Sequence, residues 1–479
     1  MKAARILAVL LVLAVLGGGA WWLIGSGQTP VTPSPGGGTP AVDEPLPRSM
    51  ITILPGVDDR LYPEPCNRFG VGGLYSVTAT LDEMRGYAPT LGVLMGDVSL
   101  ARGKVGQAHL RAIYRLLIHH TGVQVICPGE GELGHGAQFV RQELTEAARQ
   151  RGFEIIGANV ADALGRPLLK GWELAKVVAK PPAPQTPRYI LFVSVLADSM
   201  QKRLEARGSD IQVLLARDSL DQALADGLKA AREAGHVVEN RVLLVQGTVD
   251  EAAELLSEDL DFDFAVAARG SVLPEKTPRK VGGVQVFFAG RGVRFAWRVI
   301  LEGRGDDSTR GYLVRLGQSL RSRGSPFDEA LPPLRDQYVP GEVNKVIAAG
   351  GRIEDARGKF VGSAQCASCH PEIAAQHDQS AHAQPVTSLP ALYGCAKCHT
   401  TGYDRAGGWR GSADTSDRAS VSCESCHGPA ERHLADPSKA YGAFDLARCT
   451  HCHLPDHTPE FDPEALWKRL GHRLDSGSK

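Results

Sequence analysis

Four copies of Cys-x-x-Cys-His in the last quarter of the chain carry the clearest chemistry in the sequence. Their cysteines are Cys366, Cys369, Cys395, Cys398, Cys423, Cys426, Cys449 and Cys452, and their histidines are His370, His399, His427 and His453. Two thiols at this spacing form thioethers with the two vinyl groups of one haem, and the histidine that follows is held beneath the iron as its proximal axial ligand. The pattern predicts four covalently bound haem c groups.

Structural zinc is the alternative, because paired Cys-x-x-Cys motifs also build zinc sites from four cysteines. Zinc does not require a histidine directly after every second cysteine. The N-terminal segment of the chain indicates export, and an exported chain suits haem attachment. We therefore predict haem rather than zinc.

The supply of histidine and methionine limits the second axial ligand of each iron. Ten of the 15 histidines follow residue 360, whereas none of the five methionines does. His/Met ligation from within this region is therefore excluded, and we expect low-potential bis-histidine haems or an open, five-coordinate iron. The spare histidines are His377, His382, His433, His451, His457 and His472, and each has an alternative as a solvated loop residue. His451 lies between the two cysteines of its own motif, so we leave it out of the ligand set.

Several segments of this region carry a resemblance. They are VGSAQCASCHPEIAAQ followed by SAHA, then YGCAKCHTTGY, VSCESCHGPAERH, ARCTHCH and FDPEALWKRLGH. Residues 360–472 resemble the multihaem cytochrome c-554 family. The resemblance implies four c-type haems with mostly bis-histidine ligation, which move electrons outside the cytoplasm.

The resemblance also implies distal ligands at His382, His433 and His472, beside the four proximal histidines. His377 stands where the family usually has an aromatic residue, and both His377 and His457 are possible distal ligands. Three distal ligands for four haems leave a five-coordinate iron open. About 120 residues around four porphyrins cannot build an ordinary side-chain core, so we expect short helices, long loops and no folding without haem.

The N-terminal segment predicts export. Lys2 and Arg5 precede an uncharged run from Ile6 to Ile24, with Trp21 and Trp22 near its far end. The run is either a cleaved signal peptide or an uncleaved anchor that just spans a bilayer, and we favour the anchor, with the body of the chain on the periplasmic side. The signal-anchor or signal peptide covers residues 1–24, and a Pro/Gly-rich tether covers 25–49.

Residues 50–305 predict an α/β domain, because strand-like apolar runs alternate with helical periodicity. The predicted strands are 51–54, 91–95, 123–127, 153–158, 189–196, 211–215, 241–246, 264–268, 284–289 and 295–301, and the predicted helices lie near 74–86, 105–120, 136–150, 217–235 and 248–258. Residues 306–359 form the predicted connector to a mostly α/loop multihaem cytochrome c domain at 360–479.

The α/β region carries a second resemblance, on EPC with GGLYSVTATLDEM, LMGDVSL, PGEGELGHG, GANVAD and ARGSVLPEK leading to VFFAG. These segments are similar to the metallophosphoesterase domain of the 5'-nucleotidase family, which implies a layered sheet-and-helix fold. Such enzymes hold two metal ions through Asp, His and Asn to polarise a phosphoryl group and activate water.

Most of the metal ligands that this resemblance implies are absent. The Asp-x-His motif reads Asp58-Asp59-Arg60, and the Gly-Asp motif is retained as Gly96-Asp97. The Gly-Asn-His-Glu motif reads Gly129-Glu130-Gly131-Glu132, the late Gly-His-x-His motif reads Ala267-Ala268-Arg269-Gly270, and the histidine expected after strand 241–246 is missing. Two aspartates cannot hold a two-metal centre, so we expect no phosphoesterase activity.

The remaining acids at this edge have two interpretations. Asp58, Asp59, Asp97, Glu130 and Glu132 hold a hard cation such as Ca²⁺ or Mg²⁺, or they form a solvated acidic rim with capping roles, which we favour. Cys66 and Cys127, the two cysteines outside the haem motifs, either form a disulfide or remain buried thiols.

Together these features predict a membrane-tethered periplasmic tetrahaem electron carrier with an inactive phosphoesterase-like domain as scaffold or docking module. The alternatives are a redox enzyme that acts on a small nitrogen or sulfur compound at a five-coordinate haem, and a binding module with a redox readout. The expected partners are redox proteins and, through the N-terminal segment, the membrane. The net charge of −1 gives no indication of nucleic acid.

Overall fold

The architecture comes from a computed structural model. It describes residues 49–54, 81, 84–85, 88–99, 102–114, 122–178, 187–256, 260–270, 277–290, 295–302, 309–316, 346, 355, 357–385, 396, 398–403, 405–410, 413–439, 441–442, 446–453 and 461–469. The chain divides into the units 1–44 and 45–479, and every described residue lies in the second. The predicted anchor and nearly all of the predicted tether lie outside the described residues. Within the described part of the chain, no helix is long and apolar enough to cross a membrane.

Two six-stranded sheets form the α/β region. The strands are β1 (Ser49–Leu54), β2 (Thr90–Leu94), β3 (Val123–Ile126), β4 (Glu154–Ile155), β5 (Val160–Ala161), β6 (Trp172–Val177), β7 (Arg188–Leu196), β8 (Gln212–Val213), β9 (Val238–Gln246), β10 (Phe264–Ala267), β11 (Arg279–Val281), β12 (Val284–Phe288), β13 (Phe295–Leu301) and β14 (Thr309–Arg315). The first sheet has the order β14-β13-β1-β2-β3-β4, the second has β11-β12-β10-β9-β7-β6, and β5 pairs with β8. Both edge strands of the second sheet are antiparallel to their neighbours, and its inner pairs are parallel. In the first sheet, β13 and β14 are antiparallel at one side, whereas β1 to β4 pair in parallel up to the other edge.

The two sheets pack face to face around one apolar core. Alternate residues of the central strands point into it, such as Ile51 and Val93 from the first sheet and Phe192 and Phe264 from the second. Trp297 closes the core, and its indole N–H donates to Phe288 O at 2.8 Å. Because side chains alternate along a strand, the intervening residues point to the outer faces, which helices cover.

Helices complete four layers. They are α1 (Gly103–Ala112), α2 (Glu130–Leu133), α3 (Ala137–Phe139), α4 (Thr145–Arg151), α5 (Met200–Ala206), α6 (Ala216–Glu233) and α7 (Val249–Leu255), with a π-helical turn at Val140–Leu144 between α3 and α4. Residues of α1, α3, α4 and α5 share a core with the first sheet, and residues of α6 and α7 share one with the second. The predicted α/β fold class is confirmed by this arrangement.

Short helices separated by loops make up the C-terminal region, as predicted. They are α8 (Ser363–Ala367), α9 (Pro371–Asp378), α10 (Cys423–His427), α11 (Glu431–Ala435) and α12 (Pro463–Arg469), together with 3-10 turns at Ala381–Ala383, Ala413–Arg418 and Leu446–His451. The buried apolar side chains of this region are few: Phe360, Ala396, Tyr403, Ala406 and Ala430 among the described residues. A protein segment with so small a side-chain core needs another source of buried surface.

Strand β14 lies within the stretch that the sequence indicated as connector. It pairs with β13 along its whole length, from Thr309 opposite Leu301 to Arg315 opposite Phe295. The first sheet therefore extends beyond residue 305. The predicted strands at 153–158 and 211–215 shorten to the two-residue strands β4 and β8.

Candidate functional site

The third Cys-x-x-Cys-His copy, hereafter the third motif, forms helix α10 beside a small cavity of about 40 Å³. Cys423, Cys426 and His427 all line the cavity, and Trp467 of α12 and His382 line it from other segments. Both thiols and the following imidazole therefore border one space, and together they are the groups by which a Cys-x-x-Cys-His motif attaches and ligates a haem.

The imidazole of His427 is fixed in one tautomer. Its Nδ1 lies 2.8 Å from Gly442 O, and because a carbonyl can only accept, Nδ1 carries the proton. Gly442 has a φ of +67°, and a Cβ there would lie 2.9 Å from the Cβ of His427. The lone pair of His427 is then on Nε2, the arrangement that metal-ligating histidines use.

His382 and His453 face each other. His382 lies in the 3-10 turn Ala381–Ala383, His453 ends the fourth motif, and their ring centres are 5.8 Å apart with planes inclined by 57°. His453 also stacks on Phe461 at 4.2 Å. Burial, with a smaller contribution from nearby His377, lowers the pKa of His382, which favours the neutral imidazole that a metal ligand requires.

The other spare histidines have different surroundings. Nε2 of His377 donates to Val421 O at 3.0 Å, and its Nδ1 lies 3.7 Å from Asp378. His433 stacks on Tyr441 with ring centres 4.7 Å apart, and its buried Nδ1 has no hydrogen-bond partner among the described residues. These two residues stay predicted ligands.

The remaining predicted site residues differ in how far their side chains are exposed to solvent. The first motif is the most exposed copy, since Cys369 and His370 both face solvent, whereas His399 and Cys398 of the second motif are half-buried. In the fourth motif Cys449 and Cys452 are half-buried. Cys395, His457 and His472 lie outside the described residues.

The acidic edge of the α/β region is organised around Glu132. This fully buried carboxylate accepts the backbone N–H groups of Asp97, Val98 and Gly129 at 2.8–2.9 Å and the hydroxyl of Tyr114 at 3.2 Å. Burial raises the pKa of Glu132, and the charge of Asp97 adds to that effect. Glu132 therefore holds the loop between β2 and α1 against α2. Its carboxylate has this structural role rather than that of a metal ligand.

Arg269 supplies the positive charge at this edge. Its Nη2 lies 3.3 Å from Asp97 and 3.2 Å from Glu130, and the side chain is 6% exposed. Arg207 and Arg203 lie within 3.5 and 3.6 Å of Glu130. No group of three or more acidic, histidine or cysteine side chains among the described residues is placed to hold a metal ion. The guanidinium of Arg269 therefore lies against two of the carboxylates that were considered as ligands of a hard cation. Asp58 and Asp59 lie outside the described residues.

Gln246 joins the two sheets at the same edge, a contact that the sequence did not indicate. It ends β9, where the resemblance implied a missing histidine, and it donates to Met95 O at 2.8 Å and Cys127 O at 3.0 Å. Cys127 itself accepts from the hydroxyl of Ser194 at 3.0 Å, and burial raises the pKa of its thiol to about 12. Its predicted partner Cys66 lies outside the described residues.

The α/β region contacts the second motif directly. Val105, on the first turn of α1, shares an apolar cluster with Ala396 and Tyr403, and Trp409 packs against it. Val105 is fully buried, and Ala396 lies inside the second motif at 2% exposure. Helix α1 also carries His109, whose Nδ1 lies 2.8 Å from Ser99 Oγ near the acidic edge.

Residues 365–428 match the family model described as cytochrome c554 and c-prime. This part of the chain is similar to cytochrome c-554. The cytochrome c-554 of Nitrosomonas europaea is 30% identical over 144 aligned residues, which cover 22% of this chain and 61% of that protein. The chain thus spans less than two thirds of the length of the relative it matches. The predicted resemblance of the C-terminal region is confirmed.

The α/β region is similar to solved phosphoesterase structures at low identity. The sulfate thiohydrolase SoxB of Thermus thermophilus has a TM-score of 0.48 at 16% identity, covering 62% of this chain and 62% of that one. A 5'-nucleotidase precursor, also from Thermus thermophilus, has a TM-score of 0.45 at 17% identity, covering 66% and 62%. At these values the likeness says nothing about activity.

Proposed function

We propose that the chain is an exported tetrahaem c-type cytochrome that transfers electrons. The observation that carries the proposal is the third motif, where Cys423, Cys426 and His427 line one cavity and the proton of His427 is committed to Gly442 O. This is the donor set that a covalent haem needs: two thiols for its vinyl groups and an imidazole Nε2 for its iron. The same sequence pattern at the three other motifs supports a count of four.

Each bound haem would supply an iron that cycles between the ferric and ferrous states. The chain's own residues would hold and orient it: the thiols of Cys423 and Cys426 would attach it covalently, and the imidazole of His427 would bind its iron. The neighbouring rings of His382 and His453 would supply both imidazole ligands of a haem held by the fourth motif.

For the α/β region we propose a scaffold without phosphoesterase activity. The support is chemical, since Arg269 neutralises Asp97, which a two-metal centre would need as a ligand, together with the neighbouring Glu130. The contact of Val105 with Ala396 and Tyr403 supports a scaffold role, because it holds α1 on the second motif. We further propose a periplasmic location with an N-terminal membrane tether, and redox proteins as partners.

The test is the haem count and spin state of the protein produced in a host that attaches haem c to exported chains. Intact mass and a pyridine haemochrome assay should give four haems per chain, and Cys423→Ala should give three. Cys127→Ala is the matched control, since it removes a buried thiol outside the motifs, and it should keep four. Zinc in place of haem in the wild-type chain would overturn the proposal.

Electron paramagnetic resonance of the oxidised protein then separates the carrier from an enzyme. Four low-spin signals mean that every iron has two protein ligands, as a carrier requires. One high-spin signal in four would identify an open iron and would favour a redox enzyme acting on a small nitrogen or sulfur compound.

A further inference from the structure

The two residues between the cysteines of the third motif, Glu424 and Ser425, form hydrogen bonds with residues near other haem motifs. Glu424, directly after Cys423, is only 1% exposed. Its carboxylate accepts the N–H of Val361 at 3.0 Å and the N–H of Gly362 at 2.8 Å, and both residues lead into helix α8, which carries Cys366. It also accepts the N–H of Ala430 at 2.9 Å, after its own motif. One side chain therefore bonds the segments that carry the first and the third motif.

Ser425 makes the corresponding contact with the second motif. Its hydroxyl lies 2.9 Å from the hydroxyl of Thr401, which follows His399 closely in sequence. Thr401 also accepts the N–H of Ser422 at 2.8 Å. From the fourth motif, Arg448 donates to Cys426 O. The third motif thus has a hydrogen bond to a residue in or beside each of the three others.

The carboxylate of Glu424 is satisfied by backbone amides rather than by a direct ion pair. Arg418 stands nearby, but its guanidinium donates to Val361 O at 2.9 Å and Gly407 O at 2.8 Å. Burial raises the pKa of Glu424, while the three amides and Arg418 favour the charged form. A buried carboxylate with three amide donors is costly to remove, because each N–H would lose its partner.

The first and third motifs also approach each other directly. Residues of helix α8 lie close to residues of helix α10. Gly362 has a φ of +94°, a backbone conformation that residues with a side chain rarely adopt. The backbone that Glu424 binds at the start of α8 therefore has a conformation that favours glycine.

We propose that Glu424 is a positioning residue that fixes the haem of the first motif relative to the haem of the third, and that the third motif is the element to which the other three are bonded. The inference rests on the proposed function, because it concerns haems that the motifs would carry. It assigns Glu424 no contact with haem and no part in ligation.

The test compares Glu424→Gln and Glu424→Ala with the wild-type holoprotein. Glu372→Gln is the control, since it makes the same chemical change at an exposed position on α9. Magnetic coupling between ferric haems depends on their separation and relative orientation, so the measurement is the spin-coupled part of the electron paramagnetic resonance spectrum. Intact mass reports whether four haems are attached.

We expect Glu424→Ala to keep the thioether-bound haems but to lose most of the coupled signal, and Glu424→Gln to lose part of it. The amide oxygen of glutamine still accepts, but its NH₂ group opposes a backbone donor. Glu372→Gln should match the wild type. If Glu424→Ala is not recovered, the milder Glu424→Gln decides the question, together with Ser425→Ala, which removes only the bond to Thr401.

Two outcomes separate this inference from the proposed function. A wild-type chain without four haems would overturn both. Four haems with an unchanged coupled spectrum in Glu424→Gln and Glu424→Ala would overturn only the positioning role, even if both variants unfolded at lower temperature. A purely structural residue would lower stability and leave the coupling intact.

Discussion

The imidazole rings of His382 and His453 lie 5.8 Å apart, although one residue follows the first haem motif and the other ends the fourth. His382 is tied to the third motif as well, because its carbonyl accepts the N–H of Val421 at 3.1 Å. A haem held by the fourth motif would thus be contacted from both ends of the cytochrome-like region. The arrangement makes ligation of that haem by His382 a testable prediction.

Replacing His382 with alanine should leave one haem iron without its distal ligand. The thioethers and the proximal histidine remain, so four haems per chain are expected, with one ferric haem changing from low-spin to high-spin. His382→Met should restore a low-spin haem with a higher reduction potential, since methionine ligation raises it. Electron paramagnetic resonance and redox titration measure both effects. His236→Ala, in the α/β region, is the control, and a wholly low-spin His382→Ala would remove this histidine from the ligand set.

Placing a charge at Val105 should loosen the contact between α1 and the second motif. Val105 is fully buried against Ala396 and Tyr403, so Val105→Asp leaves an unpaired carboxylate in an apolar cluster. Hydrogen–deuterium exchange of the peptide spanning 396–410 should rise at least tenfold, which corresponds to about 1.4 kcal/mol. Lys104→Asp introduces the same side chain at the exposed neighbouring position and should leave exchange unchanged. Equal exchange in the two variants would contradict a scaffold contact here.

Removing Arg269 should destabilise the α/β region. Asp97 and Glu130 would lose their closest cation, and breaking a buried ion pair by removing one partner costs about 3 to 5 kcal/mol. Denaturant unfolding followed by circular dichroism measures the loss in Arg269→Ala. Arg203→Ala is the control, because that side chain is half exposed and its ion pair with Glu130 is worth about 0 to 1 kcal/mol.

The same variant tests whether the guanidinium stands in for a metal ion. EDTA should not change the unfolding of the wild-type chain. Millimolar Ca²⁺ should stabilise Arg269→Ala relative to the same variant in EDTA. A wild-type α/β region that loses stability in EDTA would show that a metal ion, and not Arg269, balances these carboxylates.

Acid should weaken the loop that precedes the first motif. Hydrogen bonds from Arg357, opposed by burial and helped by the charges of Arg357 and Arg405, hold the pKa of Asp355 at about 2, below its ordinary value of 3.8. A depressed carboxyl pKa stabilises the fold fully above pH 4, and this contribution is lost as the pH falls to 2. The full shift is worth about 2 kcal/mol, and screening near the surface reduces it to about 1 kcal/mol.

Asp355→Asn checks this contribution. The difference in unfolding free energy between the wild type and the variant should shrink between pH 4 and pH 2, as read from the haem absorption during denaturant titration. Glu372→Gln provides the reference for removing an exposed carboxylate from the same region. A constant difference across this pH window would show that the ion pair of Asp355 with Arg357 and Arg405 contributes nothing.

The sequence predicts the fold where burial alone determines structure. The strands β7, β9, β10 and β12 each contain a run of apolar residues because both faces of their sheet are covered, and this pattern is legible without a structure. Strand β14 was missed because TRGYLVR has no such run; its place depends on pairing with β13. Such an edge strand is specified by its neighbour rather than by its own residues.

The candidate site residues also differ in whether the sequence alone predicts them. The haem motifs are local, so spacing along the chain predicts them. The pairing of Arg269 with Asp97 and Glu130 joins residues far apart in sequence, and Gln246 contacts two strands of the other sheet. The absence of most of the metal ligands was readable from the sequence, but the contact of Arg269 with these two carboxylates required the fold.

The bonds from Glu424 to Val361 and Gly362 have a consequence for the order in which the protein is made. A chain is synthesised from its N-terminus, so the first motif emerges well before the carboxylate that anchors its leading segment. A haem attached to Cys366 and Cys369 at that stage would be carried by a chain whose α8 segment is not yet bonded to the third motif. Its spacing from the haem of the third motif would be set only once the later half of the region is in place.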